Sequence, residues 1–262
     1  MKSNFYQTIW ISDLHIGSTQ CQADVLLDFL KRNESEKLYL VGDIIDFWAL
    51  SKKVYWPSEH NTIIQKILRK ARHGTKVLYI PGNHDENIRD YDNYVFGDII
   101  VKNSDVHITS NGKKFLIVHG DEYDTIARYH QWIAKLGSKG YDILLDINRC
   151  LRWVRRLLGI QSHFSLAAFV KFKVKNVVQF ISDYEESIVN TLKDGQFDGV
   201  ICGHIHHAEI KDINGFLYVN TGDFVESCTA IVEHQDGGLE LVKWQKVEIE
   251  AGEDEETAPI EA

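Results

Sequence analysis

The sequence predicts an α/β fold, and two observations carry that prediction. Short apolar runs alternate with amphipathic helical stretches through residues 8–80, the pattern of stacked βαβ units. Apolar runs at 8–11, 38–41, 77–80, 115–118 and 199–202 also lead, in turn, into Asp13-Leu14-His15, Gly42-Asp43, Gly82-Asn83-His84-Asp85, Val118-His119-Gly120-Asp121 and Gly203-His204-Ile205-His206. Strand ends are where an open α/β sheet presents its ligand-binding groups.

The elements follow in order. Residues 23–32 read as a helix, 38–41 as a strand, 61–72 as a helix and 77–80 as a strand. Pro57 and Gly74 bracket the second helix, and Pro81-Gly82 ends the strand in a tight turn. From 99 to 118 the chain shifts to short strands around an Asn111-Gly112 turn. After Cys202 the strands are 208–213, 216–220, 230–233 and 239–244, with turns at Asn214-Gly215 and Gly237-Gly238. No internal repeat is visible.

Residues 125–192 between these parts read as helical. Leu144, Ile147, Leu151, Val154 and Leu158 share one face there, and Arg149, Arg152 and Arg156 share another. A second helix over 164–180 carries Phe169, Phe172 and Phe180, with Lys171 and Lys175 on one face. The expected organisation is a core formed by 1–124 and 193–247, a helical insertion at 125–192 within the same domain, and an acidic tail at 248–262. That tail holds seven acidic residues and no basic one, a composition that reads as solvated and disordered.

Composition bounds the rest. With 262 residues, 44% of them hydrophobic and 26% charged, the chain can bury a substantial core. Met1-Lys2-Ser3-Asn4 leads into the first strand without a signal peptide, and no apolar stretch nears the roughly 20 residues that cross a bilayer. Cys21, Cys150, Cys202 and Cys228 are scattered without CxxC pairing, so reduced thiols in a cytoplasmic protein are expected. The net charge of −9 is uneven, for residues 128–179 hold ten Lys/Arg against two acidic residues.

The strand-end motifs carry metal chemistry. Asp13 and His15 lie two apart in an extended segment, so both can reach one ion. Asp43 offers two oxygens that can bridge a pair of cations, Asn83 a neutral oxygen, and His119, His204 and His206 imidazole nitrogens. Mixed N/O ligation without thiolate suits Mn²⁺, Fe or Zn²⁺. Two such ions about 3.5–4 Å apart clamp a phosphoryl group and activate a bridging water. A lone His is ordinarily packed or solvated, and His60, His73, His107, His130, His207 and His234 are read that way. Asp46 and Asp121 are read as turn caps, with Asp121 also a candidate to support a ligand. No P-loop is present.

Asp-x-His, Gly-Asp, Gly-Asn-His-Asp, His-Gly and Gly-His-x-His in this order resemble the signature of the calcineurin-like metallophosphoesterases. The resemblance spans the chain outside the insertion and the tail. It implies a four-layer α/β/β/α metallophosphoesterase sandwich with a helical lid insertion and two divalent metal ions at the sheet edge, most simply Mn²⁺. It implies one metal held by Asp13, His15, Asp43 and His206 and another held by Asp43, Asn83, His119 and His204. His84 would sit beside the phosphate, stabilising charge or protonating the leaving oxygen, with Asp85 orienting it.

Residues 11–17, 41–46 and 119–121, together with the long insertion, are more closely similar to the UDP-2,3-diacylglucosamine pyrophosphatases of lipid A biosynthesis. That branch implies a nucleotide-lipid substrate cleaved to UMP and 2,3-diacylglucosamine 1-phosphate. It also implies a lid over the acyl chains and a protein peripheral to the cytoplasmic face of the inner membrane. Asn83, Lys175 and Asn176 are the corresponding phosphate or sugar contacts. The branch carries Arg where this chain has His84, which marks a divergent subgroup.

The insertion's basic face, with Trp132 and Trp153 among its apolar residues, fits an anionic membrane surface. It equally fits a helical hairpin with solvated arginines. A phosphodiesterase or pyrophosphatase for another nucleotide or lipid headgroup is the nearest alternative. A nuclease would use the same metal chemistry, against which the chain as a whole is acidic. A non-catalytic scaffold is opposed by the completeness of the ligand set.

Overall fold

Alternate burial along the central strands divides the core into three apolar layers. The computed structural model describes residues 3–123, 180–192, 195 and 197–245. In chain order these form β1 (Asn4–Ile11), α1 (Ala23–Arg32), β2 (Asn33–Val41), α2 (Phe47–Lys52), α3 (Ser58–Arg72), β3 (Lys76–Ile80), β4 (Val95–Phe96), β5 (Ile99–Val101), β6 (Asp105–Ile108) and β7 (Lys114–Ile117). Helix α4 (residues 180–191) comes next. It is followed by β8 (Gly199–Cys202), β9 (Glu209–Ile213), β10 (Phe216–Asn220), β11 (Thr229–Glu233) and β12 (Leu239–Lys243). Short 3₁₀ turns occupy Glu86–Tyr91 and Asp121–Tyr123. The expected tail, most of the expected insertion, Lys175 and Asn176 lie outside the described residues.

One sheet has the order β12-β11-β1-β2-β3-β5-β4, the other β6-β7-β8-β10-β9. Strands β1, β2, β3 and β5 run parallel, as do β7, β8 and β10. Because side chains point alternately to opposite faces, Ile9, Ile11, Leu38, Leu40 and Val77 meet Leu26, Phe29, Ile63 and Ile67 of α1 and α3. Their neighbours Trp10, Tyr39, Val41, Leu78 and Ile80 pack against Phe115, Ile117, Ile201 and Val219 of the second sheet. On the far side of that sheet, Val118, Val200, Cys202 and Tyr218 cover Tyr184, Ile188, Val189 and Leu192 of the α4 segment. The layers are therefore helix, sheet, sheet, helix, the sandwich expected from the motifs. Burying each Ile, Leu or Phe contributes about 1.5–3 kcal/mol.

Two local expectations shift. The second long helix begins at Ser58 rather than near Asn61, because Pro57 at its N-cap supplies a helix-compatible φ of −66°. Helix α2 was not anticipated at all. It is six residues long and starts where the Asp46 side chain accepts the Ala49 N–H. Of the expected insertion, residues 180–192 are described, and their apolar face is part of the core.

Candidate active site

The C-terminal ends of β1, β2, β3, β7, β8 and β10 meet along one edge of the sandwich. The loop after β1 is laced to the loop after β2, with Asp13 N–H donating to Gly42 O at 3.0 Å and His15 N–H to Asp43 O at 2.9 Å. The second sheet joins through His204 N–H, which donates to Asp13 Oδ2 at 3.0 Å. These turns place ligand candidates in the left-handed region, with φ of 51° at Asp13, 47° at His15, 53° at Asp43, 72° at His204 and 55° at His206. Such backbone costs on the order of 1 kcal/mol or more per residue and collects at functional sites. Gly42 has φ +80° and lies so close to the His119 ring that a Cβ would overlap it, and a Cβ at Gly82 would meet Asp43 and His119. Only glycine lets these loops close.

The donor atoms converge without satisfying one another. Asp13 Oδ1, His15 Nε2, Asn83 Oδ1 and His119 Nε2 are buried and have no hydrogen-bond partner. An unpartnered buried polar atom costs about 1–3 kcal/mol, so four at one spot mark a place built for a cation. Asp13, His15 and His206 bring one atom each within 4.8 Å of the others, and so do Asp43, His119 and His204; a third such group, His15, Asp46 and His84, is joined by the Asp46 hydrogen bonds. Asp43 stands between the two triads. Its Oδ1 accepts the His84 N–H at 2.8 Å, and its Oδ2 lies 3.9 Å from His15 Nε2 and 3.5 Å from His119 Nε2. His206 Nε2 lies 3.1 Å from Asp13 Oδ1 without the alignment of a hydrogen bond, and its side chain is 36% exposed. The donor set is oxygen and imidazole without thiol, and it fits divalent metal ions.

Groups behind the donors settle which nitrogen faces the cluster. His119 Nδ1 donates to Val41 O at 2.9 Å, and His15 Nδ1 donates to Asp46 Oδ2 at 3.1 Å. Both acceptors are oxygens, so each Nε2 keeps its lone pair for the cluster. Burial opposes charge on Asp13 and Asp43, yet the surrounding imidazoles hold both carboxyls below their ordinary range. Burial likewise opposes a proton on His119, but Asp43 and Asp13 push its pKa up to about 10. A proton and a metal ion compete for that nitrogen.

His84 lies beside the triads. Its Nδ1 donates to Asp46 Oδ1 at 2.9 Å, its Nε2 is 3.9 Å from Asp43 Oδ2, and Trp48 covers its ring at 4.2 Å between centroids. Burial lowers its pKa, but Asp46 and Asp43 more than offset this and hold it above the usual imidazole value.

The expectation that Asp85 orients His84 is corrected here. Asp85 turns beneath the loop, accepting Gly82 N–H at 2.6 Å, Ile44 N–H at 2.8 Å and the Tyr79 hydroxyl at 2.5 Å. It pins the β3 loop to the β2 loop, and both of its oxygens are engaged there rather than on the imidazole. The orienting group is Asp46, read from sequence as a cap. It does cap α2, and it also holds His15 and His84. A hint was present in the sequence, since Asp46 follows Asp43 by three residues and opens an apolar stretch, where an N-cap belongs.

Other polar residues sit around the cluster. Asp121 is buried and pairs with Arg89 at 2.6 Å. Asp223 accepts the Val225 N–H at 2.8 Å and the Ser227 N–H at 3.0 Å, closing its own turn. His207 faces Glu209 at 3.7 Å, away from the triads. Ser12 was missed by the sequence reading. Its hydroxyl bonds to the Asp13 carboxylate, to Gly222 O at 2.9 Å and to Thr221 Oγ1 at 2.6 Å, tying β1 to the loop after β10.

Residues 6–208 match the calcineurin-like phosphoesterase family. The chain is 27% identical over 252 residues to the UDP-2,3-diacylglucosamine hydrolase of Neisseria meningitidis serogroup B, covering 90% of this chain and 98% of that one. It is 26% identical over 257 residues to the protein of the same name in Haemophilus influenzae, covering 91% and 97%. Among solved structures, Vps29 from Entamoeba histolytica is similar at 12% identity and a TM-score of 0.43, covering 91% of this chain and 99% of that one. That likeness is too distant to bear on function. The motif order, the two donor triads and the match over most of the chain agree: the chain belongs to the calcineurin-like phosphoesterase family and is a metal-dependent phosphoester hydrolase.

Proposed function

We propose that this hydrolase cleaves the pyrophosphate of UDP-2,3-diacylglucosamine to UMP and 2,3-diacylglucosamine 1-phosphate, using two divalent ions, Mn²⁺ foremost. The observation that carries the chemistry is the pair of donor triads joined through Asp43 Oδ2. The substrate rests on the relatives named above, whose alignments cover 90% and 91% of this chain. Asp13, His15, Asp43 and His206 would hold one ion, and Asp43, Asn83, His119 and His204 the other. When bound, the ions supply Lewis-acid polarisation of the phosphoryl oxygens and a water acidic enough to attack at neutral pH.

The remaining work falls to side chains. Asp46 occupies His84 Nδ1, so the proton that His84 can offer to a phosphoryl or leaving oxygen is on Nε2, the nitrogen nearer Asp43. Asp85 keeps the loop bearing Asn83 and His84 at a fixed height above β2. Trp48 excludes water from one face of the imidazole. The proposal includes work at the cytoplasmic face of the inner membrane. Among the described residues no helix is long and apolar enough to cross a membrane.

A related substrate, another nucleotide- or lipid-linked phosphoester, is favoured by one feature, His84 in place of the Arg of that branch. Mn²⁺-supplemented hydrolysis of UDP-2,3-diacylglucosamine in detergent, beside bis-p-nitrophenyl phosphate and with Asp43→Ala as control, separates the two. UMP release by the wild type alone supports the lipid A reaction. Cleavage of only the synthetic diester keeps the phosphoesterase and discards that substrate.

A further inference from the structure

We propose that the excursion at residues 47–56, between β2 and α3, is an interfacial segment that seats this protein on an anionic lipid bilayer. The proposal rests on the reading of the substrate as lipid-linked. This stretch leaves the same sheet edge as the ligand cluster. It exposes Phe47 (37%), Trp48 (45%), Val54 (77%) and Tyr55 (40%) within nine consecutive residues. Lys52 and Lys53 are exposed among them, and no acidic residue occurs from 47 to 58 in a chain of net charge −9. Aromatic rings and lysines together suit the headgroup layer, where Trp and Tyr keep one wet end and Lys reaches outward from an apolar stem.

The segment is anchored on its inner side. Asp46 caps α2, and Phe47 N–H donates to His84 O at 3.2 Å. Leu50 lies against Gly17, leaving no room for a Cβ there. Tyr55 and Trp56 meet His60 edge-on at 5.7 and 5.6 Å, and His60 Nδ1 accepts the Gly17 N–H at 3.1 Å. The outward residues are thus a fixed feature of the lip, where Trp48 lies beside the His84 ring. A second exposed aromatic group, Tyr91, Tyr94 and Phe96, packs on itself and is flanked by Asp90, Asp92 and Asp98. Its charge disfavours an anionic membrane. Charge separates the two patches and selects 47–56.

The test is co-sedimentation of the full chain with phosphatidylethanolamine–phosphatidylglycerol vesicles and with phosphatidylcholine vesicles. Wild type is expected on the anionic vesicles. Lys52→Gln with Lys53→Gln should weaken partition by about 25-fold, since each basic residue near such a surface contributes roughly a fivefold effect. Val54→Asp should weaken it as well. Bis-p-nitrophenyl phosphate turnover and Tm should stay at wild-type values in both variants. Unchanged vesicle binding in both variants, equal binding to phosphatidylcholine, or a drop in Tm that reveals a packing partner within the chain would each overturn the assignment. The substrate reading fails separately. If UDP-2,3-diacylglucosamine in detergent is not cleaved while the variants still lose vesicle binding, the substrate is wrong and the seat stands.

Discussion

Replacing Asp46 with Asn should damage metal binding more than it damages His84. Asp46 Oδ1 receives two donors, Ala49 N–H at 2.7 Å and His84 Nδ1 at 2.9 Å, whereas Oδ2 receives His15 Nδ1 alone at 3.1 Å. An amide keeps its single oxygen where two donors point, so its NH₂ group faces His15. His15 Nδ1 must then accept, which moves the ring proton to Nε2 and removes the lone pair meant for the cluster. Loss of a hydrogen bond to a charged group costs about 1.5–3 kcal/mol, equivalent to roughly 10- to 150-fold in affinity. The assay is Mn²⁺ titration by metal content and by bis-p-nitrophenyl phosphate turnover. Asp46→Asn should recover most of its activity in excess Mn²⁺. Asp46→Ala and His84→Ala should not, and Asp46→Ala should also lose about 1 kcal/mol of stability with the α2 cap. Wild-type Mn²⁺ affinity in Asp46→Asn, or a turnover defect that excess metal leaves untouched, would refute the tautomer reasoning.

Other consequences are accessible to simple measurements. Gly42→Ala adds a Cβ into the His119 ring at φ +80°, so unfolding stability should fall by about 2 kcal/mol or more; an unchanged Tm would show that the loop relaxes freely. Glu233 is buried, which raises its pKa, but His107 at 2.8 Å and the Ser110 N–H at 2.7 Å hold it below the usual carboxylate range. Its stabilising contribution is therefore complete above the unfolded pKa of about 4.3 and is lost as pH falls through the lower folded value. Urea midpoints of wild type and Glu233→Gln should accordingly differ at pH 7 and converge in acid; a gap that widens toward low pH would reverse the sign. Mn²⁺ at about 100 times its Kd should stabilise wild type by about 2.7 kcal/mol, while Asp43→Ala, lacking the carboxylate between the triads, should show a far smaller rise in Tm.

Strand placement was legible because it depends on local periodicity. Runs such as 38–41 and 77–80 are apolar at every position, as strands buried on both faces must be. Asp13, His15, Asp43, Asn83, His119, His204 and His206 were legible for a related reason. Each follows such a run within a few residues, so knowing the strand ends brings the side chains to one edge. Helix α2 was not legible, since six residues give too few turns for a 3.6-residue period to emerge. Nor were the cross-sheet bonds of Ser12, made by an ordinary serine to partners some 200 positions away.

The sequence by itself therefore determined the α/β class, the strand-end motifs and the oxygen-and-imidazole character of the donors. The tertiary structure alone decided how the two nearby carboxylates divide their work. Asp46 and Asp85 each stand within three residues of a ligand candidate, and the local hint that Asp46 caps a helix does not tell which of the two holds His84. Asp85 is consumed by Gly82, Ile44 and Tyr79 because the β3 loop passes over it, which leaves Asp46 to hold His15 and His84. A hydrogen bond is made or lost over a few tenths of an ångström. That distance is set by how two loops some forty residues apart cross, not by the residues either loop contains.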